Sequence, residues 1–201
     1  MRPARAVSNL IEVHAVIHAA RLDLSPMPLV MMNAIQGGNW AGVGRLLGAE
    51  IPAEWRDADW QWLDQRVARA EADPAELAWA PHVLLLRESA EPDRPGPVVV
   101  GDAGFHGSPD ENGRVEVGYM VLSGYRRQGL AAEAVRALMD WAVAQQGVTR
   151  FQACINPDNI PSLNLVRKLG FTQVGSQLHE SRGEELIFHR DLPGGHPRDT
   201  R

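Results

Sequence analysis

The feature that most constrains this chain is a strand-to-helix passage past its middle. Val115-Glu116-Val117-Gly118-Tyr119-Met120-Val121 reads as a strand, and Arg126-Arg127-Gln128-Gly129-Leu130-Ala131 opens a helix with an apolar stripe through Leu130, Ala134, Leu138, Trp141 and Ala142. A loop that joins two arginines to a glycine and small alanines offers convergent backbone N–H groups, positive potential and close approach. Those are what a metal-free pyrophosphate cradle needs. A solvated turn would use the same residues, so the setting has to decide. No Lys-Ser or Lys-Thr follows Gly129, so a P-loop with its Mg²⁺ ligand is unsupported.

Around this passage the pattern alternates strands and helices. Arg21 to Ser25 alternates apolar and polar residues, Pro28 suits a first helical turn ended by Gly37-Gly38, and Trp40 to Leu47 forms a second short helix stopped by Gly48. Glu54 to Ala72 is expected as one helix with Trp55, Trp62, Leu63 and Val67 on one face, where the tryptophans serve as core or as the wall of a substrate channel. His82–Arg87 and Val98–Val100 flank a turn-rich stretch, and Asn112-Gly113 marks a hairpin leading into the strand at 115. A strand follows at Arg150–Ile155. Asn159 caps a helix with Pro161 in its first turn and Leu163, Val166 and Leu169 inward, and Phe171–Gln177 pairs with Glu185–Leu192.

Length and charge narrow the class. At 201 residues with 44% hydrophobic content one domain is expected, and a net charge of −5 without like-charge runs provides no footprint for nucleic acid or an anionic membrane. The single cysteine, Cys154, excludes an intrachain disulfide and leaves no Cys/His cluster, so no metal site and a reducing cytoplasm are expected. Residues 1–20 read as a helical or ragged extension too polar for a signal peptide or membrane span, with His14 and His18 on one helix face but no third ligand. Residues 21–192 are expected as the domain and 193–201 as a frayed, flexible tail.

The combination of Val115-Glu116-Val117-Gly118-Tyr119, the spacing of Arg126, Gly129 and Ala131, Asn159-Ile160-Pro161-Ser162 and Lys168-Leu169-Gly170-Phe171 resembles the GNAT superfamily of N-acetyltransferases, in its RimJ/RimL-type branch. The likeness is strong over residues 98–192 and looser from Leu22. It implies an α+β (α/β mixed) GNAT fold: a mixed, mostly antiparallel twisted sheet of about six or seven strands flanked by helices. The sheet would open as a V-shaped cleft between the strand before the loop and the strand at 150–155. It also implies acetyl-CoA, or another acyl-CoA, as co-substrate. Backbone groups of Met120, Val121 and Leu122 would line the pantetheine, Arg126, Arg127, Gln128, Gly129, Leu130 and Ala131 would hold the pyrophosphate, and Asn159 and Ser162 would approach from the far side.

Transfer by direct attack needs a proton acceptor and a group to meet the departing thiolate. Glu116 is the leading acceptor as the one carboxylate within the apolar strand; facing solvent or pairing with Arg114 is its structural alternative. Glu180, which resembles part of the substrate site of RimL-type enzymes, and His106 are further candidates. Ser162 could meet the thiolate or cap its own helix. Cys154 has no visible histidine partner and reads as a packing residue. The tyrosine and glutamate that some GNAT enzymes acting on protein N-termini carry fall here at Val166 and Cys154, which puts their acid–base pair in doubt. The acceptor is expected to be a primary amine on a protein N-terminus, an aminoglycoside-like compound or a small metabolite. A silent acyl-CoA-binding sensor is the alternative, and dimers common to the superfamily allow a possible homodimer.

Overall fold

The computed structural model describes residues 15–87, 96–179 and 182–193. Among these, eight strands form one sheet in the order β1-β2-β3-β4-β5-β6-β8-β7, with β1 Ile17–His18, β2 Leu22–Pro26, β3 His82–Leu86, β4 Val98–Phe105, β5 Arg114–Val121, β6 Arg150–Ile155, β7 Thr172–His179 and β8 Gly183–Asp191. Neighbouring strands are antiparallel except β5 and β6, which are parallel. A parallel pair needs a crossover. Helix α5, Leu130–Gln146, supplies it.

The strand count exceeds the expected six or seven because residues 17–18 are not helical. Ile17 and His18 pair with Leu24 and Asp23, the reversal closes through Ala19 N–H to the Leu22 carbonyl at 2.8 Å, and His18 Nδ1 lies 2.8 Å from Asp23 Oδ1. His14 lies outside the described residues.

The two sheet faces carry different layers. Helices α1 (Leu29–Gln36), α2 (Trp40–Leu47), α3 (Ala53–Arg56) and α4 (Trp62–Ala72) belong to a core with Val83, Leu85, Val99 and Leu122. Helices α5 and α6 (Ile160–Lys168) share the other core with Leu84, Val98, Val100, Val115, Val117 and Phe151. Alternation along β4 makes this possible, since Val98 and Val100 face one layer and Val99 the other.

One expected helix is two. Between α3 and α4 the chain turns, with Asp59 Oδ1 accepting from Gln61 N–H at 3.0 Å and the Trp60 indole donating to the Trp55 carbonyl at 3.1 Å. The aspartates of Asp57-Ala58-Asp59 suit such a turn, because a short carboxylate competes for nearby backbone N–H groups. The break sends Trp55 into the core, fully buried, and leaves Trp62 40% exposed.

Among the described residues no helix is long and apolar enough to cross a membrane.

Candidate active site

The parallel pairing of β5 with β6 runs through Arg114, Val115 and Glu116 and then stops, with Glu116 opposite Gln152 as its last rung. Beyond it, residues 117–121 stay paired with β4 while residues 153–155 pair with β8, so the sheet opens between them. Leu122 N–H donates to the Val100 carbonyl at 2.9 Å and His106 N–H to the Glu116 carbonyl at 2.8 Å. Antiparallel pairing alternates, so residues 116, 118, 120 and 122 spend their backbone groups on β4 while 117, 119 and 121 turn theirs toward the opening. Of Met120, Val121 and Leu122, only Val121 therefore faces it through its backbone. Its carbonyl already accepts from Arg126 Nε at 2.9 Å.

The loop at the mouth of this opening is bent by two left-handed residues, Arg127 at φ 60° and Gly129 at φ 80°. Gly129 is the N-cap of α5 and no side chain caps the helix, so its first N–H groups keep their donor capacity and its positive end is bare. Glu133, the acidic residue of the first turn, is drawn aside. It accepts from Arg21 N–H at 2.6 Å, Arg21 Nε at 2.8 Å and Leu22 N–H at 3.1 Å. Arg21 in turn donates to the Gln128 carbonyl at 3.1 Å, which adds a third guanidinium beside Arg126 and Arg127. Leu130 is 2% exposed, so it offers only its backbone, and Ala131 is half-buried. Glu54 on α3 steadies the approach, accepting from Ser123 N–H at 2.8 Å and Ser123 Oγ at 2.7 Å.

At the closed end of the opening a polar chain crosses from β4 to β8. His106 Nδ1 lies 2.8 Å from Glu116 Oε1, Gln152 Nε2 donates to Glu116 Oε2 at 3.0 Å, and Gln152 Oε1 meets His189 Nε2 at 3.0 Å. Burial works to raise the Glu116 carboxyl, but His106, by hydrogen bond and charge, with Gln152 and Cys154, holds it at about 2. An ionised carboxylate only accepts, so Nδ1 of His106 carries the proton. Gly118 makes room for this ring, since a Cβ there would lie 2.5 Å from His106 Nε2. Cys154 completes the cluster. Burial and then the Glu116 charge push its thiol up to about 12, which keeps it protonated and unfit as a nucleophile.

Pairing with Arg114 was one structural alternative for Glu116, but Arg114 goes to Asp191, Nη1 to Oδ1 at 2.8 Å. Gln152 brings Glu116 and His189 into one network, which no local motif announces. His106 follows β4 directly and Ser162 lies in the first turn of α6, where Asn159 caps by accepting from Ser162 N–H at 3.2 Å. Glu180 lies outside the described residues. Asp102 was not singled out, although it is a lone carboxylate in an apolar strand just as Glu116 is. It accepts from the Trp55 indole at 2.8 Å, and burial lifts its carboxyl to about 6 against that bond.

The acetyltransferase (GNAT) domain family matches residues 31–172. The chain belongs to that family. It is 27% identical over 155 residues to the N-acetyltransferase YjdG of Bacillus subtilis, covering 75% of this chain and 86% of the relative. Its fold is similar to the ribosomal-protein-S5-alanine acetyltransferase of Vibrio fischeri, with TM-score 0.62 at 16% identity over 92% of this chain and 100% of the other. It is also similar to a RimL ribosomal L7/L12 α-N-protein acetyltransferase solved with coenzyme A, with TM-score 0.60 at 14% identity over 89% and 98% of the two chains. The chain is thus a transferase of the GNAT type, and its open, mostly antiparallel sheet flanked by helices is the GNAT fold.

Proposed function

We propose that this GNAT enzyme transfers acetyl from acetyl-CoA to a primary amine, on a protein N-terminus or a small molecule, by direct attack. The observation that carries the reading is the opening of β5 from β6 after Glu116, which leads to the uncapped N-terminus of α5. A pantetheine amide fits an unpaired strand edge and a pyrophosphate fits bare helix N–H groups beside guanidinium charges. The protein N-terminus is favoured as one form of the amine by the fold likeness to two ribosomal-protein acetyltransferases.

In this reading Arg126, Arg127, Gln128, Gly129 and the backbone of Leu130 and Ala131 hold the pyrophosphate, with Arg21 bracing the loop. The N–H groups of Tyr119 and Val121 face the opening, where one can polarise the thioester carbonyl. His106 accepts the amine proton through Nε2, directly or by way of water, because Glu116 fixes Nδ1 as the protonated nitrogen. Glu116 alone, held at about 2, is too weak a base for that task. Ser162 meets the sulfur, and Asn159 sets the start of the helix that carries it.

Calorimetry with CoA on the wild type and Gly129→Trp tests the donor site. Binding is expected only to the wild type, because an indole at φ 80° both strains the loop and fills the cradle; equal affinity would sink it. Thiol release with peptides and small amines identifies the acceptor, and turnover on no amine would refute the transfer.

A further inference from the structure

On the sheet face that bears the α1–α4 layer, a second carboxylate shares a side with His106 and Glu116. Ala103 and Phe105 belong to the core under α5, so Asp102 and His106, which alternate with them along β4, project to the other side. Glu116, Gly118 and Met120 do the same on β5, where Val115, Val117 and Val121 take the α5 side. His106 Nε2 lies over Gly118, and Asp102 stands opposite Met120. From one to the other is two residues along the strands and one strand across, about 8 Å at ~3.3 Å per residue and ~4.8 Å between strands.

Asp102 is held at one end only. Its Oδ2 accepts from the Trp55 indole at 2.8 Å, and Trp55 is itself locked by Trp40 and Trp60, whose ring centres lie 6.2 and 4.8 Å from its own. Among the described residues Oδ1 takes no hydrogen bond and no cation pairs with the group, while the side chain is half-buried rather than sealed. A carboxylate can accept about four hydrogen bonds, so one donor compensates little of the hydration it has lost. Satisfying the indole N–H would need no charge, since an amide oxygen accepts as well. Burial lifts the carboxyl to about 6, so at neutral pH the fold holds an anion that costs it stability. Such a group beside a reacting centre is one whose cost a bound ligand can relieve.

We propose that Asp102 is a specificity-determining residue: its free oxygen binds a second positive charge on the acceptor, about 8 Å from the amine that is acetylated, which makes the substrate a dicationic amine. This rests on the transfer reading above and narrows its acceptor. The half-buried Met120, opposite Asp102 and two residues beyond Gly118, offers an apolar surface to the linker between the two nitrogens. A small diamine carries that pair of charges, and so does a protein N-terminus followed by a basic side chain. A monoamine can reach His106 but leaves Asp102 unpaired.

The test is thiol release from acetyl-CoA with matched acceptors: cadaverine against pentylamine, and a peptide with lysine as its second residue against one with norleucine there. In the wild type kcat/KM should favour the dicationic member of one pair by about tenfold to a hundredfold, the equivalent of one charge-assisted hydrogen bond. The pair that shows the preference identifies the source of the second charge. In Asp102→Asn, which keeps an oxygen for the Trp55 indole, the preference should fall to about twofold or less, through the KM for the acceptor rather than kcat. The contact should also be visible without turnover. Followed by carbon NMR in the protein with CoA bound, the Asp102 carboxyl should titrate at lower pH with the dicationic acceptor and not with its monocationic match. Equal kcat/KM within both pairs, or a preference that survives in Asp102→Asn, would overturn the proposal. So would a carboxyl titration indifferent to the second charge. Failure of every amine to release thiol would instead refute the transfer reading itself.

Discussion

The two ends of the opening between β5 and β6 are built on opposite terms. At the mouth, the loop from Arg126 to Ala131 leaves donors unspent: α5 has no side-chain cap, and its one early acid, Glu133, is turned away toward β2. At the closed end the polar groups are spent on one another, with His106, Glu116, Gln152 and His189 linked in a chain across four strands. Unsatisfied groups are an invitation to a ligand, whereas satisfied ones hold backbone elements in register. In the proposed reading, the difference separates recognition of the donor at the mouth from rigidity of the cleft at its closed end.

That contrast can be broken most severely at the closed end. Glu116→Ala strands His106 and Gln152 without their acceptor and should cost about 3 kcal/mol of stability in chemical denaturation, while CoA affinity stays within about twofold. A loss of CoA affinity with no loss of stability would reverse the division of labour.

The same carboxylate should be visible in acid. Its value is lowered from 4.5 to about 2 in the fold, so its contribution is present above the unfolded value and is lost as pH falls through 4.5 toward 2. Between pH 5 and 2 the wild type should therefore lose about 2 to 3 kcal/mol more than Glu116→Gln. Parallel stability curves for the two proteins would show that His106 and Gln152 do not hold the charged form.

Asp102 offers the opposite sign. Its carboxyl is raised from 3.8 to about 6, so the fold favours the protonated form and stability falls as pH rises across that interval. Asp102→Asn, which keeps an acceptor for Trp55, should gain about 2 kcal/mol at pH 8 and nothing below about pH 4. A gain that does not vary with pH would trace to packing instead.

The smallest effect on the fold belongs to the mouth. Arg126→Ala should weaken CoA about tenfold by calorimetry and change stability by less than about 0.5 kcal/mol, since the side chain is largely exposed and its carboxylate neighbour Glu54 lies 3.9 Å away.

Much of this was legible before any coordinates. Helix α2 spans Trp40–Leu47 with Gly48 at its end in the left-handed conformation, and Asn159 caps α6, because caps and glycine stops are local chemistry. The reading failed where tertiary context outweighed pattern. Helical spacing from Glu54 to Ala72 hid the turn at Asp57–Asp59, because Leu63 and Val67 keep a four-residue apolar spacing after it, while Trp55 and Trp60 fold onto each other and Trp62 is left exposed. A two-residue strand such as Ile17–His18 carries no period at all and exists by pairing with β2. Leu130, one of the residues proposed for the cradle, serves the core with its side chain.

The sequence by itself determined the strand, the loop and the helix start, because a glycine at a positive φ, neighbouring arginines and a 3.6-residue stripe act within a few positions of one another. Only the tertiary structure decided which side of β5 faces the opening, and that Glu116 answers to His106 and Gln152 rather than to Arg114. Those outcomes depend on strand register and on where parallel pairing stops. Both are set by contacts between segments far apart in the chain, which local patterns do not encode.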